Sequence, residues 1–257
     1  MHFPVIFHIY NFPIPAHIIF ETLAFFIGFR FFLYLKKKRG DTIVEANRTW
    51  IFIGATAGAV FGSRFLGALE DPAALLRSAN PILYIFRTRT IAGGLAGGLL
   101  GVELIKKIIG EKRSSGDLFT FPIILGMIIG RIGCFLNGTA ESAYGIETSS
   151  WFGMNLGDNK LRHPVTLYEI AYLILIWAIL LAAEKNQKLK DGIRFQIFMI
   201  AYFGFRFCIE FIKPHVNIFL AMSAIQWVAV LILLYYARTL FNLIFRQQNI
   251  FFYAEHP

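Results

Sequence analysis

Several charged side chains of this protein stand within or at the ends of long apolar stretches of sequence. A charge at the centre of a bilayer costs about 2.5–3.5 kcal/mol on insertion scales, so residues of this kind usually serve a function. Arginine offers a planar fork of donors that suits a phosphate group, and a carboxylate can orient that fork or accept a proton. We therefore expect a site for an anionic headgroup, assembled from Glu21, Arg64, Arg131, Glu169, Arg206 and Glu210.

Two local patterns bear on this hypothesis. Tyr202, Arg206 and Glu210 recur at every fourth position, so they share one face of a helix. Taken alone, Arg206 and Glu210 could equally form a structural ion pair. His163 precedes Pro164 at the start of an apolar stretch, where a helix cap or a surface group is more common than a catalytic base.

The apolar stretches predict the elements that position these residues. Of the 257 residues, 56% are hydrophobic and only 16% are charged, whereas about 25% charged residues is usual in a globular chain. Unbroken apolar runs of about 18–20 residues predict membrane-spanning helices, since barrel strands would show short alternating runs. We expect an all-α integral membrane protein with about seven transmembrane helices, at residues 18–35, 50–69, 91–105, 118–136, 165–183, 195–212 and 219–237.

The distribution of Lys and Arg sets the predicted orientation. The formal net charge is +9, but the basic residues cluster between apolar runs, which is typical of cytoplasmic loops and argues against a nucleic-acid partner. Most of them follow the first, third and fifth predicted helices or lie in the tail, within segments 36–48, 106–113, 185–194 and 238–246. This excess predicts an N-terminus outside and a C-terminus in the cytoplasm, with the lipid bilayer as a partner.

We interpret residues 1–257 as a single polytopic membrane domain, because no linker or internal repeat divides the chain. The longest outside segment, 137–163, is polar and glycine-containing, and we expect it to be a functional extracytoplasmic loop. The only two cysteines, Cys134 and Cys208, fall inside apolar runs, so we expect free thiols rather than a disulfide.

Glycine recurs every four residues in two of the predicted helices. The first series runs from Gly54 to Gly62 and the second from Gly93 to Gly101. Small residues at this spacing let helix backbones approach closely. The pattern predicts tight helix packing or, as the alternative, a face that leaves room for a lipid.

Several short segments occur in an order that resembles one known family. They are Gly62-Ser63-Arg64, the Gly93-Gly94 pair, and segments 130–138, 163–169, 202–210 and 223–226. These segments resemble the motifs of the bacterial prolipoprotein diacylglyceryl transferases, and the resemblance extends from the second to the seventh predicted helix.

The resemblance implies an enzyme of the bacterial cytoplasmic (inner) membrane that acts in lipoprotein biosynthesis. It would move the diacylglyceryl group of phosphatidylglycerol to the lipobox cysteine thiol in the signal peptide of a prolipoprotein, without a cofactor or a metal ion. The catalytic residues would then be Arg131, Arg206, Glu141, Glu169 and His163. The substrate-binding residues would be Arg64, Asn137, Gly138, Tyr168, Tyr202, Glu210, Gly93 and Gly94.

The chain departs from the family pattern at positions that would take part in proton transfer. Ala92 stands where the family usually has a histidine, and Thr139 stands where it usually has a glutamate, with Glu141 two residues later. Cys134 replaces a usual asparagine, and Glu21 falls near an expected tyrosine. If the reaction is retained, the base is one of Glu21, Glu141, Glu169 and His163.

Two other functions stay open at this point. A non-catalytic anionic-phospholipid binder or transporter of the same fold would keep the arginines and lose the base, which is consistent with Ala92. A proton- or ion-coupled transporter would use the acids within the helices, although the sequence lacks the paired broken helices that mark many such folds.

Overall fold

The computed structural model describes residues 3–9, 12–186 and 189–245, most of which are helical. The helices are α1 (Ala16–Arg39), α2 (Glu45–Leu69), α3 (Pro72–Arg77), α4 (Pro81–Arg87), α5 (Ile91–Ile109), α6 (Asp117–Asn137), α7 (Val165–Asn186), α8 (Ile193–Ile209), α9 (Ala224–Tyr235) and α10 (Ala237–Phe245). Strands β1 (Ile6–Ile9) and β2 (Phe12–Pro15) pair antiparallel, as do β3 (Met154–Asn155) and β4 (Leu161–Arg162). Lys188 and Arg246, which belong to the basic segments noted above, lie outside the described residues.

Within the described ranges, five helices are long and apolar enough to cross a membrane, namely α1, α2, α6, α7 and α8. They coincide with five of the predicted spans, which confirms a helical membrane protein. The third predicted span corresponds to α5, which carries Glu103, Lys106 and Lys107 in its second half. The seventh corresponds to α9, which has only 12 residues.

The glycine series of α2 and α5 lie directly against each other. A Cβ atom on Gly58 would collide with the carbonyl oxygen of Gly97, and one on Gly62 would collide with that of Gly93. The two backbones therefore touch along the glycine faces, as the spacing predicts. This contact occupies the backbone of Gly93, one of the residues predicted to bind substrate.

A second close pair is formed by α1 and α6. A Cβ atom on Gly28 would lie 3.3 Å from the carbonyl oxygen of Pro122, and one on Gly133 would lie 3.3 Å from the Cα of His17. The start of α1 is thereby held against the end of α6. The side chains that cluster around Cys134 depend on this approach.

The apolar core lies between α6, α7, α8 and α9. Its fully buried members include Ile124, Leu173, Phe198, Phe203 and Ile225. These residues come from all four helices, so packing around them fixes the relative positions of the helix ends that carry the charges.

Ion pairs connect the helices at the end of the bundle away from Arg131. Glu184, near the end of α7, pairs with Arg39 of α1 at 3.1 Å and with Arg194 of α8. Asp117 of α6 accepts hydrogen bonds from the backbone N–H groups of Gly192 and Phe195 at 2.6 and 3.0 Å. Part of the basic charge in the predicted cytoplasmic loops therefore has a structural role.

The seventh predicted helix begins later than expected. The prediction placed its start at 219, whereas residues 218–222 form a turn and α9 starts at Ala224. Ser223 and Gln226 form a capping box, in which each side chain bonds to the other residue's backbone N–H. Apolar composition did not reveal this boundary, because the residues of the turn are themselves hydrophobic.

The predicted loop 137–163 has regular structure of its own. It contains a 3₁₀ turn at Gly138–Ala140 and the β3–β4 pair. Gly138 has a φ of 58°, and a Cβ atom there would collide with the carbonyl oxygen of Leu156. A residue with a side chain would therefore push this loop away from the end of α6.

Candidate functional site

Glu169 is the centre of a buried polar network. Its Oε2 lies 2.9 Å from Arg131 Nε and 3.5 Å from Arg206 Nη1. Tyr202 donates its hydroxyl to Oε1 at 2.9 Å. Glu169 is 0% exposed, so protein groups rather than water neutralise its charge. Three helices, α6, α7 and α8, thus bring four predicted site residues together.

The network continues beyond the end of α8. Arg206 Nη2 donates to Glu210 Oε2 at 3.1 Å, and Lys213 Nζ lies 4.0 Å from the same oxygen. Burial lowers the pKa of the Lys213 ammonium, and the neighbouring Arg206 charge lowers it further, whereas Glu210 acts in the opposite direction. Positive and negative groups therefore alternate along the network, which is how buried charges are tolerated in a helical bundle. Lys213 was not predicted as a site residue. It follows Glu210 by three residues, a spacing at which helical side chains can meet.

Both central arginines keep hydrogen-bonding capacity that the protein leaves unused. Among the described residues, Arg206 Nε has no hydrogen-bond partner although it is buried. Arg131 Nε is close to Glu169 but not aligned for a hydrogen bond, and Arg131 Nη1 lies 3.9 Å from Cys134 Sγ. An anion that bound here could accept a hydrogen bond from Arg206 Nε, whereas Arg131 Nε already faces Glu169 Oε2 at 2.9 Å.

A second polar cluster lies at the start of α1 and was not predicted as a unit. His17 Nε2 lies 2.7 Å from Arg89 Nη2, and Arg89 Nη1 donates to Glu21 Oε1 at 2.5 Å. His17 Nδ1 lies 3.4 Å from Glu141 Oε2, and Arg89 Nη2 lies 3.8 Å from Glu141 Oε1. We call His17, Glu21, Arg89 and Glu141 the His17 cluster. The sequence indicated only one of these contacts, because His17 and Glu21 are four residues apart and therefore lie on the same face of a helix.

Cys134 connects the His17 cluster to the Glu169 network. Its sulfur faces Arg131 on one side, and on the other it lies within 4.8 Å of ligand atoms of His17 and Glu141. The predicted free thiol is present, since Cys134 forms no disulfide. The two clusters are therefore neighbours at one end of the bundle.

Other predicted site residues lie elsewhere. His163 Nδ1 and the Tyr168 hydroxyl are 3.1 Å apart and pair with each other. Arg64 donates to the carbonyl oxygens of Phe86 and Thr88, and so holds the end of α4.

Two glycines and an asparagine complete the predicted set. Asn137 is the last residue of α6, directly before the turn at Gly138. Gly94 faces Ser63 and Ala59 of α2 with ordinary spacing. None of these three contacts Glu169 through a hydrogen bond in the described part of the chain.

A family model described as prolipoprotein diacylglyceryl transferase matches residues 4–241. The chain belongs to the prolipoprotein diacylglyceryl transferase family. It is 30% identical over 230 residues to the phosphatidylglycerol–prolipoprotein diacylglyceryl transferase of Rickettsia felis, covering 84% of this chain and 85% of that protein. It is 33% identical to the enzyme of the same name from Wolbachia pipientis wMel, covering 82% and 81% of the two chains. The Bordetella parapertussis enzyme is 29% identical, with 84% and 87% covered.

Three positions expected to depart from the family motifs lie in two settings. Ala92 is 1% exposed within the apolar core, and the N–H of Thr139 bonds to the Leu156 carbonyl oxygen. Cys134 instead lies between the two polar clusters, beside Glu141. Titratable groups are thus present near Arg131 even though positions 92 and 139 supply none.

Proposed function

We propose that this protein is a phosphatidylglycerol–prolipoprotein diacylglyceryl transferase of the bacterial cytoplasmic membrane. It would transfer the diacylglyceryl group of phosphatidylglycerol to the lipobox cysteine in the signal peptide of a prolipoprotein. The observation that carries the proposal is the pair of buried arginines, Arg131 and Arg206, which share Glu169 and keep unused donors. The names of the relatives support the same activity.

The chemistry assigns the arginines to the leaving group. The substrate thiolate forms a bond from sulfur to the glyceryl carbon, and the bond from that carbon to the phosphate oxygen breaks. The departing oxygen keeps the electron pair, so glycerol phosphate leaves as an anion. Arg131 and Arg206 stabilise this charge as it develops, because their guanidinium donors are already oriented.

Glu169 is better suited to orient the arginines than to act as the base. Its carboxylate already faces two guanidinium groups and the hydroxyl of Tyr202. Taking a proton would remove the negative charge that holds both arginines. Tyr202 bonds to Glu169, and Glu210 accepts a hydrogen bond from Arg206. We therefore assign both residues to orienting the substrate site.

Glu141 is the base that we propose for the substrate thiol. Its Oε2 has no hydrogen bond within the described structure, and it lies beside Cys134, next to the Arg131 side of the network. His163 is the less suitable candidate, because its Nδ1 already pairs with Tyr168. Asn137, Gly138, Gly94 and Arg64 keep their predicted role in binding substrate.

We further propose seven spans, with the N-terminus outside and the C-terminus in the cytoplasm. In this arrangement α5 and α9 cross the membrane beside the five longer helices. Both polar clusters then lie toward the outer leaflet, where phosphatidylglycerol and a translocated signal peptide would meet.

The test is transfer of labelled diacylglycerol from phosphatidylglycerol to a lipobox peptide by the purified protein. Transfer that is lost in Arg206→Ala is the expected result. Absence of transfer by the wild type, together with Arg206-dependent binding of the lipid, would instead identify a non-catalytic phospholipid binder. Complementation of a strain depleted of its own transferase gives the corresponding result in cells.

A further inference from the structure

The hydrogen bonds of the His17 cluster determine where its imidazole proton lies. A guanidinium group only donates hydrogen bonds, so Arg89 Nη2, at 2.7 Å, must face a lone pair on His17 Nε2. We assign the proton of the neutral ring to Nδ1 on this basis. The protonated Nδ1 then lies 3.4 Å from Glu141 Oε2, without the alignment of a hydrogen bond.

Arg89 is held in place by acids on both sides. Its Nη1 donates to Glu21 Oε1 at 2.5 Å, and its Nη2 lies 3.8 Å from Glu141 Oε1. Glu21 stands one turn after His17 on α1, so it fixes Arg89 against the ring. The order of contacts is therefore Glu21, Arg89, His17 and Glu141.

His17 Nδ1 and Arg89 Nη2 lie 3.4 and 3.8 Å from the two carboxylate oxygens of Glu141. Glu141 Oε2 and His17 Nδ1 are both buried and lie 3.4 Å apart, and neither has a hydrogen-bond partner in the described ranges. Arg131 and Glu169 lie beyond Cys134 and carry opposite charges. The N–H of His17 is thus the nearest donor available to orient that carboxylate oxygen.

We propose that His17 is a positioning residue that holds Glu141 as the general base through its Nδ1 proton. The inference rests on the proposed transferase function. Glu141 takes the proton of the substrate thiol, while His17 keeps its own proton throughout. His17 thereby supplies a hydrogen-bond donor to Glu141 from the start of α1.

The same side chains also carry donor atoms that could ligate a metal ion. His17 Nδ1, Cys134 Sγ and a carboxylate oxygen of Glu141 lie within 4.8 Å of one another. A metal ion would need the lone pair of Nδ1, but the hydrogen bond from Arg89 to Nε2 leaves a proton there. Arg89 and Arg131 already supply positive charge, so the arrangement favours a proton-handling role.

The experiment compares His17→Ala and His17→Asn in purified full-length protein with phosphatidylglycerol and a lipobox peptide. His17→Ala is expected to lower kcat by about 100-fold with little change in KM for the lipid. The amide N–H of Asn can replace the Nδ1 proton, so His17→Asn restores most of the rate.

A double variant separates this role from a merely structural one. If His17 acts through Glu141, adding His17→Ala to Glu141→Gln lowers kcat no further. His8 lies exposed on β1, so His8→Asn is the matched control and keeps the wild-type rate.

Three outcomes would overturn the inference. They are a rate in His17→Asn no higher than in His17→Ala, additive losses in the double variant, and loss of wild-type activity with a chelator that added zinc restores. A wild-type protein that transfers nothing contradicts the proposed function itself, and the two failures are therefore distinct.

Discussion

The single residues that matter most are charged groups with more than one opposite neighbour. Glu169 faces Arg131 and Arg206, and Arg206 also faces Glu210. Each of these side chains is almost fully buried, so removing one leaves its partner without compensation. Substitutions that keep charge and substitutions that remove it should therefore behave differently.

Replacing Arg206 by lysine tests whether the guanidinium fork is needed. The ammonium still neutralises Glu169 and Glu210, but it cannot offer two parallel donors to a phosphate. We expect Arg206→Lys to lower phosphatidylglycerol-dependent transfer about 100-fold or more while the protein still inserts in the membrane. Arg206→Ala and Arg131→Ala should abolish transfer. Arg77→Lys, on the exposed end of α3, is the control, and a wild-type rate in Arg206→Lys would contradict the phosphate role.

Replacing Glu169 by glutamine separates an orienting role from a basic one. Glutamine keeps the shape but leaves two guanidinium groups without their shared carboxylate. We expect Glu169→Gln to lower the free energy of unfolding by about 3–5 kcal/mol, measured by thermal unfolding in detergent. Glu147→Gln, at an exposed ion pair, should change little. Unchanged stability with lost turnover would instead indicate that Glu169 is the base.

Among the elements, close backbone contact decides how the helices pair. The α2–α5 and α1–α6 contacts both depend on glycine, and the second places His17 beside Cys134. Helix packing of this kind leaves no space for an added methyl group. Stability should therefore respond to very small substitutions at these glycines.

Gly97→Ala tests the α2–α5 contact. The new methyl group would collide with the backbone of Gly58, so the helices must separate. We expect a loss of about 1–3 kcal/mol in stability, seen as a lower Tm in detergent. Gly204 of α8 offers the matched control, since a Cβ atom there meets nothing within 4 Å. Equal Tm values for both variants would argue against tight packing at this face.

The loop between α1 and α2 provides a test of pH dependence. Burial alone would raise the pKa of Asp41, but hydrogen bonds from Arg48 and the Ile43 N–H, with the charge of Arg48, lower it below the ordinary value of 3.8. A carboxylate with a lowered pKa stabilises the fold above its unfolded-state value, and this contribution is lost as the pH falls through the folded-state value. Asp41→Asn should therefore lower Tm at pH 7, and the difference from wild type should shrink below about pH 3.8. Asp191→Asn is the exposed control, and a difference that is constant with pH would contradict the assignment.

For the whole molecule, the predicted orientation fixes which helices cross the membrane. With the N-terminus outside, α5 must cross for the basic segment 106–113 to lie in the cytoplasm, and α9 must then cross as well for the C-terminus to be cytoplasmic. Reporter fusions after Arg48, Arg113 and Arg194 should all read as cytoplasmic. A periplasmic signal at two of these three positions would contradict the seven-span arrangement.

The sequence by itself determined the class of protein and most of its helices. Apolar runs and their length identified α1, α2, α6, α7 and α8, because the bilayer imposes a minimum length on any spanning helix. Glycine spacing within α2 and α5 predicted close packing of each helix for a similarly local reason, and the structure showed that they pack against each other. Local periodicity likewise placed Tyr202, Arg206 and Glu210 on one face.

Only the tertiary structure decided which groups meet. The contacts of Glu169 with Arg131 and Arg206 join three helices, and those of His17 with Arg89 and Glu141 join segments that are distant in sequence. Such contacts depend on how helices are rotated and packed, which no local pattern specifies. For the same reason, the sequence did not indicate that Arg64 bonds to the carbonyl oxygens of Phe86 and Thr88 at the end of α4.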